Sequence, residues 1–182
     1  MRVARIEITR FRGFESFVLV PRENVVIVGE PRAGRSDLIA ALRRVLEPRA
    51  IQFRPSEWDV YRPLPEPSDP DDTIKPDIPM TSIDLSLLEF SEETEQLLED
   101  RLELLRPTTG ELADEDDAGD AELGIRLRYC LQYEPDEQRL EHWIEYRKSG
   151  TRVPRSGRSP AAMACSRWCW ARSARSAPRV VE

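Results

Sequence analysis

The sequence has few of the residues that build redox, metal or nucleophilic centres: three cysteines and one histidine in 182 residues. Cys130 stands alone, and Cys165 and Cys169 fall in an unusual C-terminal stretch, so no disulfide framework is present. A metal site on Cys165 and Cys169 lacks two ligands. His142 has no Cys, Asp or Ser beside it in a recognised set, which gives a Ser/His/Asp hydrolase no support; it reads as a strand residue. Long apolar runs are also missing, so no segment is expected to span a bilayer. Met1-Arg-Val-Ala-Arg-Ile-Glu7 lacks the apolar core of a signal peptide. The expectation is a cytoplasmic protein with no membrane partner.

What is present is charge, unevenly placed. The net charge is −7, yet residues 151–182 hold seven arginines against Glu182 alone, +6, which leaves −13 on residues 1–150. An acidic body does not look like a general nucleic-acid binder. Residues 151–182 are rich in Arg, Ser, Ala and Pro and show no useful period. They read as a basic, unstructured tail, either a native stacking segment with Trp168 and Trp170 or the product of a shifted reading frame. Residues 1–150 are then the one folded domain.

The chain is organised around residues 24–46. Val25–Val28 is a continuous β-branched run, the pattern of a strand buried on both faces. Gly29, Glu30, Pro31, Arg32, Ala33, Gly34, Arg35, Ser36 and Asp37 follow. Leu38, Ile39, Leu42, Val45 and Leu46 then recur at helical spacing, and Pro48 ends the run. Strand, glycine-bounded loop and helix in that order predict a phosphate-binding loop. Its N–H groups and the helix N-terminus would hold the polyphosphate of ATP. Ser36 would place its hydroxyl on Mg²⁺. Arg35 stands where the motif has Lys, and a wide planar fork does not replace a slim point charge at a tight site. Binding is expected to survive that exchange better than hydrolysis.

Two strands precede this loop. Residues 2–9 read as one, Phe17–Val20 as a second, with a turn at Gly13 between them. A strand ending Arg10-Phe-Arg-Gly-Phe14, a second strand, then residues 25–42 resemble the N-terminal lobe of the RecF/SMC-like ABC ATPases. Within that group the overcoming-lysogenization-defect (OLD) nucleases and their AAA-type relatives are the most similar. The resemblance departs at Pro31, where the family has Asn, and at Arg35. It implies an α/β fold, an incomplete P-loop NTPase lobe of ABC type with a mixed sheet and a small antiparallel β layer. It also implies that Arg12 approaches the nucleotide, a position that reads equally as a surface charge. It further implies a homodimer or partner subunit to complete the ATPase site, and DNA contact only through that context or the full-length protein. The Walker B strand, signature motif and switch histidine of that family are not visible after residue 46, nor is a Toprim metal domain. No general base is named, and an enzyme assignment as an ATPase stays open.

Residues 47–80 carry eight of the fifteen prolines and read as loop. Trp58 within it reads as packing. Thr81–Phe90 predicts a strand with one buried face, with Asp84 either near a metal or on the solvated face of an edge strand. Ser91 predicts an N-cap, with Leu98, Leu102 and Leu105 on one face of a helix closed by Arg106-Pro107. Residues 108–122 read as a solvated acidic loop. Residues 123–133 and 140–146 alternate strictly and predict a long hairpin. The resemblance implies the ATP-binding N-terminal portion of an OLD/RecF-like ATPase associated with DNA cleavage or DNA repair and defence, deficient in hydrolysis on its own. The alternative is an interaction module or remnant whose loop is a relic, with residues 111–122 or 123–147 meeting a partner.

Overall fold

The computed structural model describes residues 1–47, 52, 54–62, 80–114, 119–134 and 136–153. Strands β1 (Arg2–Phe11) and β2 (Phe14–Leu19) form the first hairpin. Helix α1 (Arg35–Leu46) and a short 3₁₀ turn (Glu57–Asp59) follow. Strand β3 (Thr81–Leu88) leads to α2 (Glu92–Leu98), a second 3₁₀ turn (Glu99–Arg101) and the short β4 (Glu103–Leu105). Strands β5 (Glu122–Glu134) and β6 (Arg139–Tyr146) complete a second hairpin. The sheet order is β2-β1-β3-β5, and β5 then forks, pairing β4 at its start and β6 along the rest.

Alternation along each strand sorts the sheet into two faces. Phe17, Ile8, Ile83, Tyr129 and Ile144 stand opposite one another across five strands, and so do Leu19, Ile6, Leu85, Leu127 and Tyr146. Leu38, Ala41 and Val45 of α1 join this apolar cluster. A helix with one apolar stripe must bury it, and this face is where it does so. The next row along the strands is Glu7, Asp84, Arg128 and Glu145. There Arg128 donates to Asp84 at 2.8 Å, and Arg147 lies 3.5 Å from the same carboxylate. Burial works against the Arg128 charge, but the bond to Asp84 outweighs it and raises the guanidinium above its ordinary pKa.

Every described strand pairing is antiparallel. This overturns the expected P-loop lobe with its mixed sheet. The strand meant to carry the loop is also missing: residues 24–30 have no regular structure, with Val26 and Val28 each 84% exposed. A β-branched run becomes a strand only where a neighbour completes its ladder. The edges of β1 are already taken by β2 and β3.

Smaller expectations are corrected too. β3 is central and buried on both faces, so Asp84 is not on an edge strand. The helix from Ser91 stops at Leu98, and Leu105 instead fills a small second cluster with Ala4 and Leu88. Trp58 is 71% exposed under the Arg62 guanidinium rather than packed. Both hairpins form, the first with a tighter turn than expected because its strands run to Phe11 and from Phe14, and His142 lies buried in β6. Arg152 and Val153 still pair with β6, beyond the expected domain limit at 150. Residues 63–79 of the proline-rich loop, 115–118 of the acidic loop and 154–182 of the tail lie outside the described residues. Among the described residues no helix is long and apolar enough to cross a membrane.

Candidate functional site

Two features meet at the end of the β1–β2 hairpin. The first is a buried ionic node. Arg12 occupies the two-residue turn at φ 50°, and Arg10 two residues earlier sits at φ 55°. Left-handed backbone costs a bulky residue about 1–2 kcal/mol. Hydrogen bonds hold it there. The Arg10 carbonyl accepts from the Tyr61 N–H at 3.0 Å and the Thr81 hydroxyl at 2.6 Å, and the Arg12 N–H donates to the Asp59 carbonyl at 3.1 Å.

The Asp59 side chain, with no exposed surface, is the centre of the node. One oxygen accepts from Arg12 at 2.8 and 2.9 Å. The other accepts from Arg44 of α1 at 2.5 Å and from the Ser56 N–H at 3.1 Å. Burial pushes this carboxyl upward, but the Ser56 N–H, the Arg12 hydrogen bond and the charges of Arg44 and Arg12 outweigh it, so its pKa lies below the ordinary value. Asp37 adds a longer contact to Arg12, 3.4 Å. The node therefore ties hairpin, helix and 3₁₀ turn together. Tyr129 reaches toward it from the apolar face, with its hydroxyl buried and making no hydrogen bond among the described residues. Burial raises the Tyr129 pKa and pushes the neighbouring Cys130 thiol up to about 12.

The second feature is the segment from Arg22 to Ser36. Gly29, Glu30, Pro31, Arg32, Ala33, Arg35 and Ser36 are exposed, and Gly34 is half-buried. Gly34 caps α1 at φ 80°, where a β-carbon would lie 3.2 Å from the Phe14 ring. The Ala33 N–H donates to the Glu30 carbonyl at 3.1 Å, and Arg35 reaches the same carbonyl at 3.5 Å. Exposure alternates before this turn: Val25 48%, Val26 84%, Ile27 40%, Val28 84%. A β-carbon on Gly29 would meet Ala33 and Arg35 of the same loop. The alternation of higher and lower exposure has the two-residue period of a strand. Among the described residues no backbone hydrogen bond reaches residues 24–29.

The expected site residues are thus divided. Arg12 and Asp37 come together, but in the ionic node rather than around a phosphate. Glu30 and Arg35 meet through a surface carbonyl. The ATP and Mg²⁺ assignments fall with the strand, because a phosphate loop depends on a buried strand and helix holding its N–H groups in place. Among the described residues no group of three or more His, Cys, Asp or Glu is placed to hold a metal ion, and Ser36 has no such company. The ATPase assignment is withdrawn for the same reasons. Asp59, Arg44 and Tyr129 were missed by sequence reasoning. The available signal was Ser56-Glu-Trp-Asp59, a serine followed three residues later by an acid that returns to the Ser56 N–H.

A family model described as "Protein of unknown function (DUF2813)" matches residues 1–98, more than half of the chain. The chain belongs to this family. No curated protein matches it. The DUF2813 match, together with the antiparallel sheet, replaces the OLD/RecF assignment. Both the ionic node and the bare run lie within the DUF2813 span, whereas β4, β5 and β6 lie beyond it.

Proposed function

We propose that this protein is a protein-interaction domain in which Val25–Val28 becomes a strand when a partner polypeptide pairs with it. One observation carries the reading. Four consecutive β-branched residues lie at the surface, with alternating exposure and no backbone hydrogen bond among the described residues. Such a run has high strand propensity and free donors and acceptors, which suits strand addition. Covering Val26 and Val28 would contribute about 1.5 kcal/mol each. The ionic node supports the reading by fixing both ends of the region. Arg12 anchors the preceding hairpin, and Arg44 anchors the helix that follows. A cytoplasmic setting is part of the proposal, supported by the free, buried thiol of Cys130.

Amide hydrogen exchange on the full chain tests this reading. In the monomer, the amides of Val25–Val28 should exchange at close to free-peptide rates. A synthetic strand peptide of alternating Val and Ile should protect them. A V26K/V28K variant should keep its melting temperature and lose that protection. Protection of these amides already present in the monomer would refute the reading.

A further inference from the structure

We infer that the partner strand carries basic residues on both sides of its apolar core, and that the site selects against a second copy of this chain; this rests on the strand-pairing reading above. The residues that flank the run set this preference. Glu23 lies two residues before Val25, and Glu30 lies two residues after Val28, both exposed. Residues 23–30 carry these two charges and no basic side chain. Any partner strand that covers the four apolar residues, parallel or antiparallel, places one residue opposite Glu23 and one opposite Glu30. Directly opposed side chains interact most strongly in a sheet, favourably for unlike charges and unfavourably for like ones.

Self-pairing fails this rule in both full-overlap registers. The antiparallel register that matches Val25 with Val28 and Val26 with Ile27 sets Glu23 against Glu30 at each end. The parallel in-register pairing sets Glu23 on Glu23 and Glu30 on Glu30. An antiparallel slip by one residue avoids the like-charge pairs in either direction, but it leaves Asn24 opposite Val28 or Val25 opposite Gly29 at both ends and breaks the apolar match. The two glutamates therefore act as gatekeepers on a run that would otherwise template its own association. A strand with Lys or Arg at the two flanking positions meets neither obstacle. It gains two cross-strand ion pairs at the rim, where they weaken as salt rises.

The test uses the full chain and two labelled octapeptides with the same Val/Ile core, one flanked by Lys and one by Glu. The Lys-flanked peptide should bind about tenfold more tightly at low salt, the advantage shrinking with added salt. The E23K/E30K variant should reverse the order, and sedimentation of the wild-type chain should show a monomer. Equal binding of both peptides would overturn the charge selection and leave the strand-pairing reading standing. A dimer with protected Val25–Val28 amides would overturn it in favour of a second copy. Failure of both peptides, with those amides still exposed, would overturn the inference and the function together.

Discussion

Arg44 and Asp59 meet at 2.5 Å between α1 and the 3₁₀ turn that follows it, and Arg12 reaches the same carboxylate from the hairpin. One buried anion thus holds three separate pieces of chain. Asp59→Asn should remove the buried charge that Arg12 and Arg44 share, at a cost of about 3 kcal/mol. Asp37→Asn, at a partly exposed 3.4 Å contact, should cost less than about 1 kcal/mol. Urea unfolding of both variants gives the comparison. Equal losses would show that the node does not depend on Asp59.

The same carboxylate should make the fold acid-sensitive. Its folded pKa lies below the ordinary value, so the unfolded chain binds the extra proton first as pH falls. The stabilisation is complete above the unfolded pKa of about 4 and drains away as pH drops toward the lowered folded value. Melting temperatures measured from pH 7 downward should fall more steeply below about pH 4 in the wild type than in Asp59→Asn.

Tyr129 gives the opposite case, a buried polar atom whose loss should not hurt. Its hydroxyl makes no hydrogen bond among the described residues. Tyr129→Phe removes a desolvated donor and keeps the ring against α1 and the sheet. Stability should be unchanged or rise by up to about 1 kcal/mol. A loss above that size in thermal melts would mean that an internal water satisfies the hydroxyl.

At Gly124, where β5 leaves β4 behind and continues along β3, the backbones crowd. An added β-carbon would sit 2.6 Å from the Leu87 carbonyl and 2.7 Å from Leu105. The nearest obstacle is main chain, which cannot swing aside. Gly124→Ala should cost about 2 kcal/mol or more, read by chemical denaturation. A neutral result would mean that the fork in β5 is looser than this packing.

The elements legible in the sequence were those whose pattern is local. Alternation in residues 123–133 and 140–146 specifies a half-buried hairpin without reference to anything distant. The apolar spacing from Leu38 to Val45 does the same for α1. Val25–Val28 misled because a continuous β-branched run states a preference, and a ladder needs a neighbour that no local pattern supplies. Leu102 and Leu105 fitted a helical period by coincidence; β4 forms because the start of β5 offers it an edge. The ionic node was invisible for a similar reason. Arg12, Arg44 and Asp59 are scattered among 27 basic and 34 acidic residues, and only the fold selects those three.

Strand order also sets a timetable during synthesis. Ile8 pairs with Ile83, seventy-five residues later in the chain. A ribosome adding about 5–20 residues per second makes β1 roughly 4–15 seconds before the strand that will flank it. For an interval of that length the first hairpin waits with its apolar face uncovered by β3. Newly made copies are then most open to a chaperone that covers apolar strands until β3 arrives.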